Sequence, residues 1–457
     1  MMKIIKLTLI FILCLLSSCG GGSSTPTPTP TYSIGGTVSG LTSDSLVLKN
    51  NNGDDLTIPA NSTSFTFNSA LVSGAIYAGT VGAQPAAQTC TVSHGSGTIA
   101  TLNIANIIVT CKSQFAYVVN SSANTVSMYS IGSDGILTPL NVPTVATGNL
   151  PNGITINPAG TFAYVTNTDF LQNTNPSISM YSIGTNGILT PLSTPTVVTG
   201  LAPQEITINL AGTFAYVTNM SSNTVSMFSI GIDGVLKPLS TPTVATYGVA
   251  TSPAGISVNP AGTFAYVAVS GFNSVQGYAI GSDGVITFSQ NIHSGQSPTS
   301  VAINPAGTFA YVANHGSGSN NINIYSIGSD GSLAYLPGVT VVAAGTSPYS
   351  ITINPAGTFA YVSNWAVVNG SNTISMYSIG TNGMLTALST PTVATGNRPT
   401  SIAINAAGTF AYVTNEISNT VSMYAVDVST GILTPLSTPT VSTGAGSNPS
   451  KIVVLSK

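Results

Sequence analysis

Few side chains in this sequence could act as acids, bases or charge-stabilising groups. Its 457 residues include only 3 His, 11 Asp and Glu, and 8 Lys and Arg. A histidine that activates water, beside a carboxylate and a cation that stabilise the developing oxyanion, could hydrolyse an ester. The residues that could supply these groups are His293, His315, Glu205 and Arg398. Their spacing alone does not show that they converge.

Four further side chains are unusual for their surroundings and are candidates for a ligand-binding face. Asp169, Glu416 and Trp365, the only tryptophan, follow repeated Phe-Ala-Tyr-Val segments, and Lys451 lies two residues after a proline that opens a short apolar segment. Variable loops on a rigid scaffold often carry binding residues. The alternative is that each charge is simply solvated and that Trp365 covers a gap in the fold.

Charge is scarce, which excludes several classes of partner and substrate. Charged residues make up 4% of the chain, the net charge is −3, and no basic cluster is present. We therefore expect no nucleic-acid binding, no phosphate-rich substrate and no electrostatic attraction to a membrane. We also expect no metal and no cofactor, because the carboxylates are few and no metal-binding or nucleotide-binding motif occurs.

The N-terminus reads as an export signal. Met1-Met2-Lys3 precedes an apolar run at 7–16, and Leu16-Ser17-Ser18-Cys19 resembles the lipobox of bacterial lipoproteins. The resemblance implies a signal peptide over 1–18, a lipid on Cys19, and anchoring to the outer membrane on its periplasmic or cell-surface side. The alternative is a common signal peptide with a chance cysteine. Residues 19–31, rich in Gly and Thr-Pro, form the expected tether.

A small all-β domain is expected over residues 32–112. Short β-rich segments alternate there with Asn, Gly and Asp turns, and the stretch resembles small β-sandwich modules that follow lipoprotein signals. Cys90 and Cys111 remain once Cys14 is removed with the signal and Cys19 carries the lipid. An even remainder in an exported chain predicts a disulfide, and a metal site is the weaker alternative without a neighbouring histidine pair.

The rest of the chain, residues 113–457, is a repeat. Phe-Ala-Tyr-Val begins at positions 115, 162, 214, 264, 309, 359 and 410, with spacings of 45 to 52 residues. A unit of this size, built of short strands and turns, predicts a four-stranded propeller blade. In a blade, the innermost strand comes just before the Phe-Ala-Tyr-Val strand. The first copy has no such strand before it, whereas the tail from Pro449 is such a strand with no Phe-Ala-Tyr-Val copy after it. The tail at 452–454 should therefore pair with the strand of Tyr117 and close a ring of seven blades.

The repeats also carry a family resemblance. Phe-Ala-Tyr-Val-Thr-Asn at 162–167, 214–219 and 410–415, with Asn-Pro-Ala-Gly turns, resembles the YVTN-type propellers of the 6-phosphogluconolactonase-like family. The resemblance implies a seven-bladed all-β propeller and a lactonase activity, with His293 or His315 as base beside Glu205 and Arg398. The turns depart from the family's usual Pro-Asp-Gly, since each has Ala before Gly.

Weighing these features, the sequence favours a non-catalytic binding or adhesion scaffold. It would be a monomer, joined to the membrane only through its lipid, and would present its loop face to a protein or glycan. The alternative is a lactonase-type hydrolase that opens a cyclic ester, as the resemblance implies.

Overall fold

The computed structural model describes residues 28–43, 45–85, 88–168, 176–316, 318–336, 341–365 and 372–457. The expected signal peptide, Cys19 and Asp169 lie outside these residues. Nearly every regular element described is a strand, and the exception is a short 3-10 turn at Ser270–Phe272. No helix in the described ranges is long and apolar enough to cross a bilayer.

The first part of the chain forms two small sheets that pack on a shared apolar core. One sheet pairs Ser64–Thr66, Ile34–Ser39, the start of Ile104–Asn120, and Gln88–Ser93. The other pairs Gly53–Ile58, Leu46–Asn50, Ile76–Ala83 and Ser96–Thr98, while Thr31–Tyr32 pairs with Leu71–Val72. Side chains such as Ile34, Leu46 and Val109 are fully buried between the sheets. This arrangement is a small β-sandwich.

The predicted disulfide is present in this sandwich. Cys90 and Cys111 lie directly opposite each other on neighbouring antiparallel strands, and their sulfur atoms are bonded. Both side chains are buried in the core. The bond therefore joins two strands of one sheet across a sequence separation of 21.

Seven four-stranded blades, each with strands a to d from the inside outward, make up the rest. Blade 1 takes its strand b from the end of Ile104–Asn120, so one strand of 17 residues serves both domains. Its strands c and d are Thr125–Ile131 and Leu137–Ala146, and its strand a is the C-terminal Pro449–Ser456.

The other six blades follow in chain order, with strands a, b, c and d in each. Their bounds are Pro151–Ile156, Phe162–Asn167, Ser177–Ile183, Leu189–Val198 (blade 2); Pro203–Ile208, Phe214–Asn219, Thr224–Ile230, Leu236–Ala245 (blade 3); Pro253–Val258, Phe264–Val269, Ser274–Ile280, Ile286–His293 (blade 4); Pro298–Ile303, Phe309–Asn314, Asn321–Ile327, Leu333–Tyr335 with Val341–Ala343 (blade 5); Pro348–Ile353, Phe359–Asn364, Thr373–Ile379, Leu385–Ala394 (blade 6); and Pro399–Ile404, Phe410–Asn415, Thr420–Val426, Leu433–Ser442 (blade 7).

The ring closes as predicted, by pairing the two ends of the repeat array. The C-terminal strand runs antiparallel to strand b of blade 1, with Val453 opposite Tyr117 and Val454 opposite Ala116. This pairing completes the first blade and removes two sheet edges that could otherwise join other chains. The all-β, seven-bladed fold expected from the repeats is confirmed.

One hydrogen bond recurs between every pair of neighbouring blades. The strand-b tyrosine donates its hydroxyl proton to the carbonyl oxygen of the glycine in the c–d hairpin of the next blade, at 2.8 to 2.9 Å. The seven pairs are Tyr117–Gly187, Tyr164–Gly234, Tyr216–Gly284, Tyr266–Gly331, Tyr311–Gly383, Tyr361–Gly431 and Tyr412–Gly135. We call this contact the tyrosine latch.

The latch explains why the hairpins carry glycine. Gly187 has a φ of +78°, a conformation that other residues rarely adopt. A Cβ at this position would also lie 2.3 Å from the ring of Phe115, which covers the hairpin. The same geometry recurs in each blade. Hairpin sequence is therefore dictated by the contact between blades, and this face of the ring has little freedom to vary.

Removing one latch hydroxyl should destabilise the ring measurably. In Tyr311→Phe the buried carbonyl of Gly383 loses its donor, which typically costs about 1–3 kcal/mol. We expect urea unfolding to show that loss. Tyr247→Phe is the matched control, because Tyr247 is 58% exposed. Equal stability of Tyr311→Phe and Tyr247→Phe would contradict the latch.

Candidate functional site

The backbone places one side chain from every blade on the same face of the ring. The residue before the strand-a proline has a φ between +46° and +56° in all seven blades. Five of these residues are Leu150, Ala202, Ser347, Arg398 and Asn448. Its carbonyl oxygen accepts the N–H of the residue after strand b, at 2.9 to 3.2 Å. The residues after strand b are Ser121, Thr168, Met220, Ser270, His315, Trp365 and Glu416. The connections that lead into strand a and the loops after strand b thus share one face.

The channel opens on this face through a polar mouth. The residues that follow each strand-a proline line a cavity of about 70 Å³. Most side chains of the lining carry hydroxyl or amide groups: Asn152, Gln204, Thr299, Ser300, Thr400 and Ser450. These groups can form hydrogen bonds with a polar ligand.

A short ion pair crosses the floor of the mouth. Lys451 Nζ of blade 1 donates to Glu205 Oε2 of blade 3 at 2.7 Å, and both side chains are about a quarter exposed. Gly153 of blade 2 lies between these blades, and a Cβ there would come within 2.5 Å of the carbonyl oxygen of Gln204. A second cavity of about 320 Å³ continues down the channel from the same pair. The pair therefore lies between the mouth and the lower channel.

A second group of side chains, which we call the Trp365 cluster, joins blades 5 to 7. It consists of His315, Tyr349, Trp365, Arg398 and Glu416. The guanidinium carbon of Arg398 lies 3.8 Å from the centre of the Trp365 ring, and Trp365 Nε1 donates to Glu416 Oε2 at 3.1 Å. Arg398 Nη1 lies 3.7 Å from Glu416 Oε1. Trp365 thus contacts both Arg398 and Glu416, which form an ion pair with each other.

His315 is the neutral base of this cluster. Its ring centre lies 4.9 Å from that of Trp365 and 5.5 Å from that of Tyr349. Burial lowers the pKa of His315, and the charge of Arg398 lowers it further. Its Nε2 atom is buried and has no hydrogen-bond partner among the described residues. An unprotonated imidazole with a free nitrogen can accept a proton from water.

Tyr349 links the cluster to the mouth, and the sequence analysis missed it. Its ring lies 5.9 Å from that of Trp365 with an interplanar angle of 22°, and it also lines the mouth cavity. Burial raises the pKa of Tyr349, and the charges of Glu416 and Glu205 raise it further against the opposite effect of Arg398. Among the seven residues that follow a strand-a proline it is the only aromatic one. That difference between repeats was the available signal.

The structure gathers most of the predicted residues but not all of them. Glu205 and Lys451 meet in the channel, and His315, Trp365, Arg398 and Glu416 meet beside it. His293 does not join them. It ends the outermost strand of blade 4 and is exposed, and its carbonyl oxygen accepts hydroxyl protons from Tyr325 and Tyr335. Strand d of blade 4 extends through residue 293, so His293 lies outside both groups.

The described residues contain no group of three or more His, Cys, Asp or Glu side chains that could hold a metal ion. The charged groups at and beside the mouth form two carboxylate–cation pairs, Lys451 with Glu205 and Arg398 with Glu416.

A closed ring of seven four-stranded blades around a polar, charge-paired mouth defines a seven-bladed propeller. The chain belongs to the family described as Lactonase, 7-bladed beta-propeller, whose model matches residues 175–343 and 333–447. No curated protein sequence matches this chain.

Several solved structures share the fold. A candidate 6-phosphogluconolactonase of Bacteroides fragilis matches with a TM-score of 0.64 at 20% identity, over 75% of this chain and 98% of its own. The periplasmic gluconolactonase of Pseudomonas aeruginosa gives 0.61 at 18% identity, over 75% of this chain and 99% of its own. A Lactobacillus plantarum protein gives 0.63 at 19%, over 75% and 99%. At these identities the likeness establishes the fold.

The titration of His315 tests the electrostatics of the cluster. We expect its pKa, followed by NMR and assigned with His315→Gln, to lie below the ordinary value of 6.5. Arg398→Met should raise the pKa only in part, because burial is the larger cause and remains. A pKa at or above 6.5 in the unmodified protein would contradict the buried, neutral imidazole.

Proposed function

We propose that this protein is a lactonase-type hydrolase that opens an uncharged cyclic ester at the mouth of the channel. Family membership supports this function over the scaffold that the sequence favoured. The names of the Bacteroides fragilis and Pseudomonas aeruginosa neighbours refer to sugar lactones, which indicates the class of substrate to test.

The observation that carries the proposal is that a neutral base, His315, lies in one cluster with Arg398, and that Tyr349 links this cluster to the mouth, which Lys451 lines. His315 has an unpartnered nitrogen, while Arg398 and Lys451 are each held by a carboxylate. Base, cation and orienting carboxylate are the groups that ester hydrolysis by water needs. The Trp365 cluster and the ion pair come from different blades, so the ring is required to assemble them.

The chemistry follows from these groups. His315 Nε2 is buried in this structure and must first come into contact with a water molecule. It then takes a proton from that water, whose oxygen attacks the carbonyl carbon of the lactone. Negative charge develops on the carbonyl oxygen, where Lys451 or Arg398 stabilises it. The bond from the carbonyl carbon to the ring oxygen then breaks, and the ring oxygen takes up a proton. The product is an open-chain hydroxy acid, and no redox step is involved.

The substrate should be uncharged and rich in hydroxyl groups. Both cations of the site already have carboxylate partners, at 2.7 and 3.7 Å. A phosphate or second carboxylate on the substrate would have to compete with Glu205 or Glu416 for them, and would be repelled by both. The hydroxyl and amide groups of the mouth can instead bind sugar hydroxyls.

The lipobox resemblance at residues 16–19 supports an exported protein that is held to the outer membrane through the lipid on Cys19. The propeller would act there as a monomer, displayed on the expected tether of residues 19–31. Such a location favours an unphosphorylated substrate taken from outside the cytosol.

The direct experiment is hydrolysis of D-glucono-1,5-lactone followed by acid release in a pH-stat, corrected for the spontaneous reaction. We expect the protein to accelerate it and to act poorly on the 6-phosphorylated lactone. Arg398→Ala and His315→Gln should each lower kcat by about 10²–10³, the usual effect of losing one stabilising or proton-accepting group.

Lys237→Ala serves as the control, because Lys237 lies on the outer strand of blade 3, away from the mouth. Its activity should equal that of the unmodified protein. Unchanged rates in Arg398→Ala and His315→Gln would remove the proposed site. No acceleration with any lactone would remove the proposed reaction.

A second candidate function, the binding scaffold, is favoured by an aromatic group on blade 4. Tyr247 stacks on Phe288 with ring centres 5.1 Å apart, and Phe272 lies 6.5 Å from Tyr247. All three are at least 36% exposed, which is unusual for neighbouring large apolar side chains. Both functions could reside on one chain, since this group lies on another part of the ring from the Trp365 cluster.

Phe288→Ala separates the two functions. If the chain is a scaffold, retention on a glycan array should fall in this variant while lactone hydrolysis is unchanged. The double variant Arg398→Ala/His315→Gln should behave in the opposite way. A chain that binds no glycan on the array in any form would contradict the scaffold with a glycan ligand.

A further inference from the structure

We infer that Tyr349 is the proton donor to the leaving oxygen when the lactone ring opens. The inference rests on the proposed hydrolase function and adds a catalytic residue to it. It starts from the position of the hydroxyl, which differs from that of the other tyrosines in the ring.

The tyrosines of the propeller are nearly all committed to structural hydrogen bonds. Seven form the latch, and the strand-c tyrosines donate to carbonyl oxygens or side chains nearby, as in Tyr181 to Ala146 and Tyr424 to Ala394. Tyr349 lines the mouth cavity, and its hydroxyl has no hydrogen bond among the described residues. It is therefore available to a ligand in the mouth.

The ring of Tyr349 is held in place without using the hydroxyl. Trp365 stacks against it, and His315 contacts it edge-on with an interplanar angle of 82°. Two aromatic neighbours restrict rotation of the side chain of this residue, which lines the cavity. A preorganised donor of this kind needs no rearrangement during the reaction.

The surroundings keep the hydroxyl protonated. Burial and the charges of Glu416 and Glu205 hold the pKa of Tyr349 above its usual value. The phenol therefore remains a donor at neutral pH. The raised pKa of Tyr349 is also closer to the pKa of a sugar hydroxyl, the group that the phenol would protonate.

The water molecule, His315 and Tyr349 together account for every proton that moves in the reaction. The water proton goes to His315 Nε2, and the new bond joins the water oxygen to the carbonyl carbon. The ring carbon–oxygen bond breaks as Tyr349 gives its proton to the departing alkoxide. The tyrosinate then recovers a proton from the imidazolium of His315, whose ring centre lies 5.5 Å away, through the solvent of the mouth.

The test uses Tyr349→Phe, which keeps the stacked ring and removes only the hydroxyl, and two substrates that differ in leaving group. In D-glucono-1,5-lactone the ring oxygen leaves as an alkoxide and requires the proton. In dihydrocoumarin the ring oxygen leaves as a phenolate and does not require it. We expect kcat on the sugar lactone to fall about 10²–10⁴-fold, with KM changed less than about threefold, and kcat on dihydrocoumarin to fall less than about threefold.

Tyr32→Phe, in the small β-sandwich, controls for the loss of a tyrosine hydroxyl away from the mouth and should leave both rates unchanged. Melting curves should show that both variants fold. Equal losses on the two substrates would assign Tyr349 a structural role and overturn the inference. So would an unchanged rate on the sugar lactone. In either case the proposed hydrolase stands if Arg398→Ala is impaired. An unmodified protein inactive on both lactones would overturn both proposals.

Discussion

The seven-membered ring depends on the tyrosine latch. Each latch buries a hydroxyl and a glycine carbonyl that satisfy one another between two blades, so neither blade reaches its low-energy packing without its neighbour. The hairpin glycine must adopt a positive φ and leave space for a phenylalanine ring, so no other residue type fits well at this position. The last latch, from Tyr412 to Gly135, joins blade 7 to blade 1 and is compatible only with a closed ring.

The opposite face is constrained through its backbone, which leaves its side chains free. The hydrogen bond between the residue before each proline and the residue after strand b uses main-chain atoms alone. Ser121 and Trp365 therefore occupy equivalent positions without disturbing the blade. This freedom allows blades 5 to 7 to carry His315, Trp365 and Glu416 in succession, and the fold provides a site without changing its framework.

Charge in the site is compensated pair by pair. A lone lysine or arginine in a mouth of this size would be costly to desolvate, and a carboxylate partner reduces that cost while fixing the position of the cation. Arg398 gains a second support from the face of Trp365. The result is a neutral site with directed cations, which suits the stabilisation of a charge that appears only during a reaction.

The sequence by itself determined the fold, because the repeated Phe-Ala-Tyr-Val and Asp-Gly or Asn-Gly signals are local. The first repeat lacks an inner strand and the C-terminal tail supplies one, so the two ends together complete a ring. It also singled out Glu205, His315 and Arg398 as unusual. Only the tertiary structure decided which of them meet: it joined Lys451 to Glu205 across a blade, left His293 on an outer strand, and introduced Tyr349. The reason is physical. Residues 51 positions apart, as in Trp365 and Glu416, and 246 positions apart, as in Lys451 and Glu205, come together through the rotation between blades. The spacing along the chain does not show in which direction each side chain points.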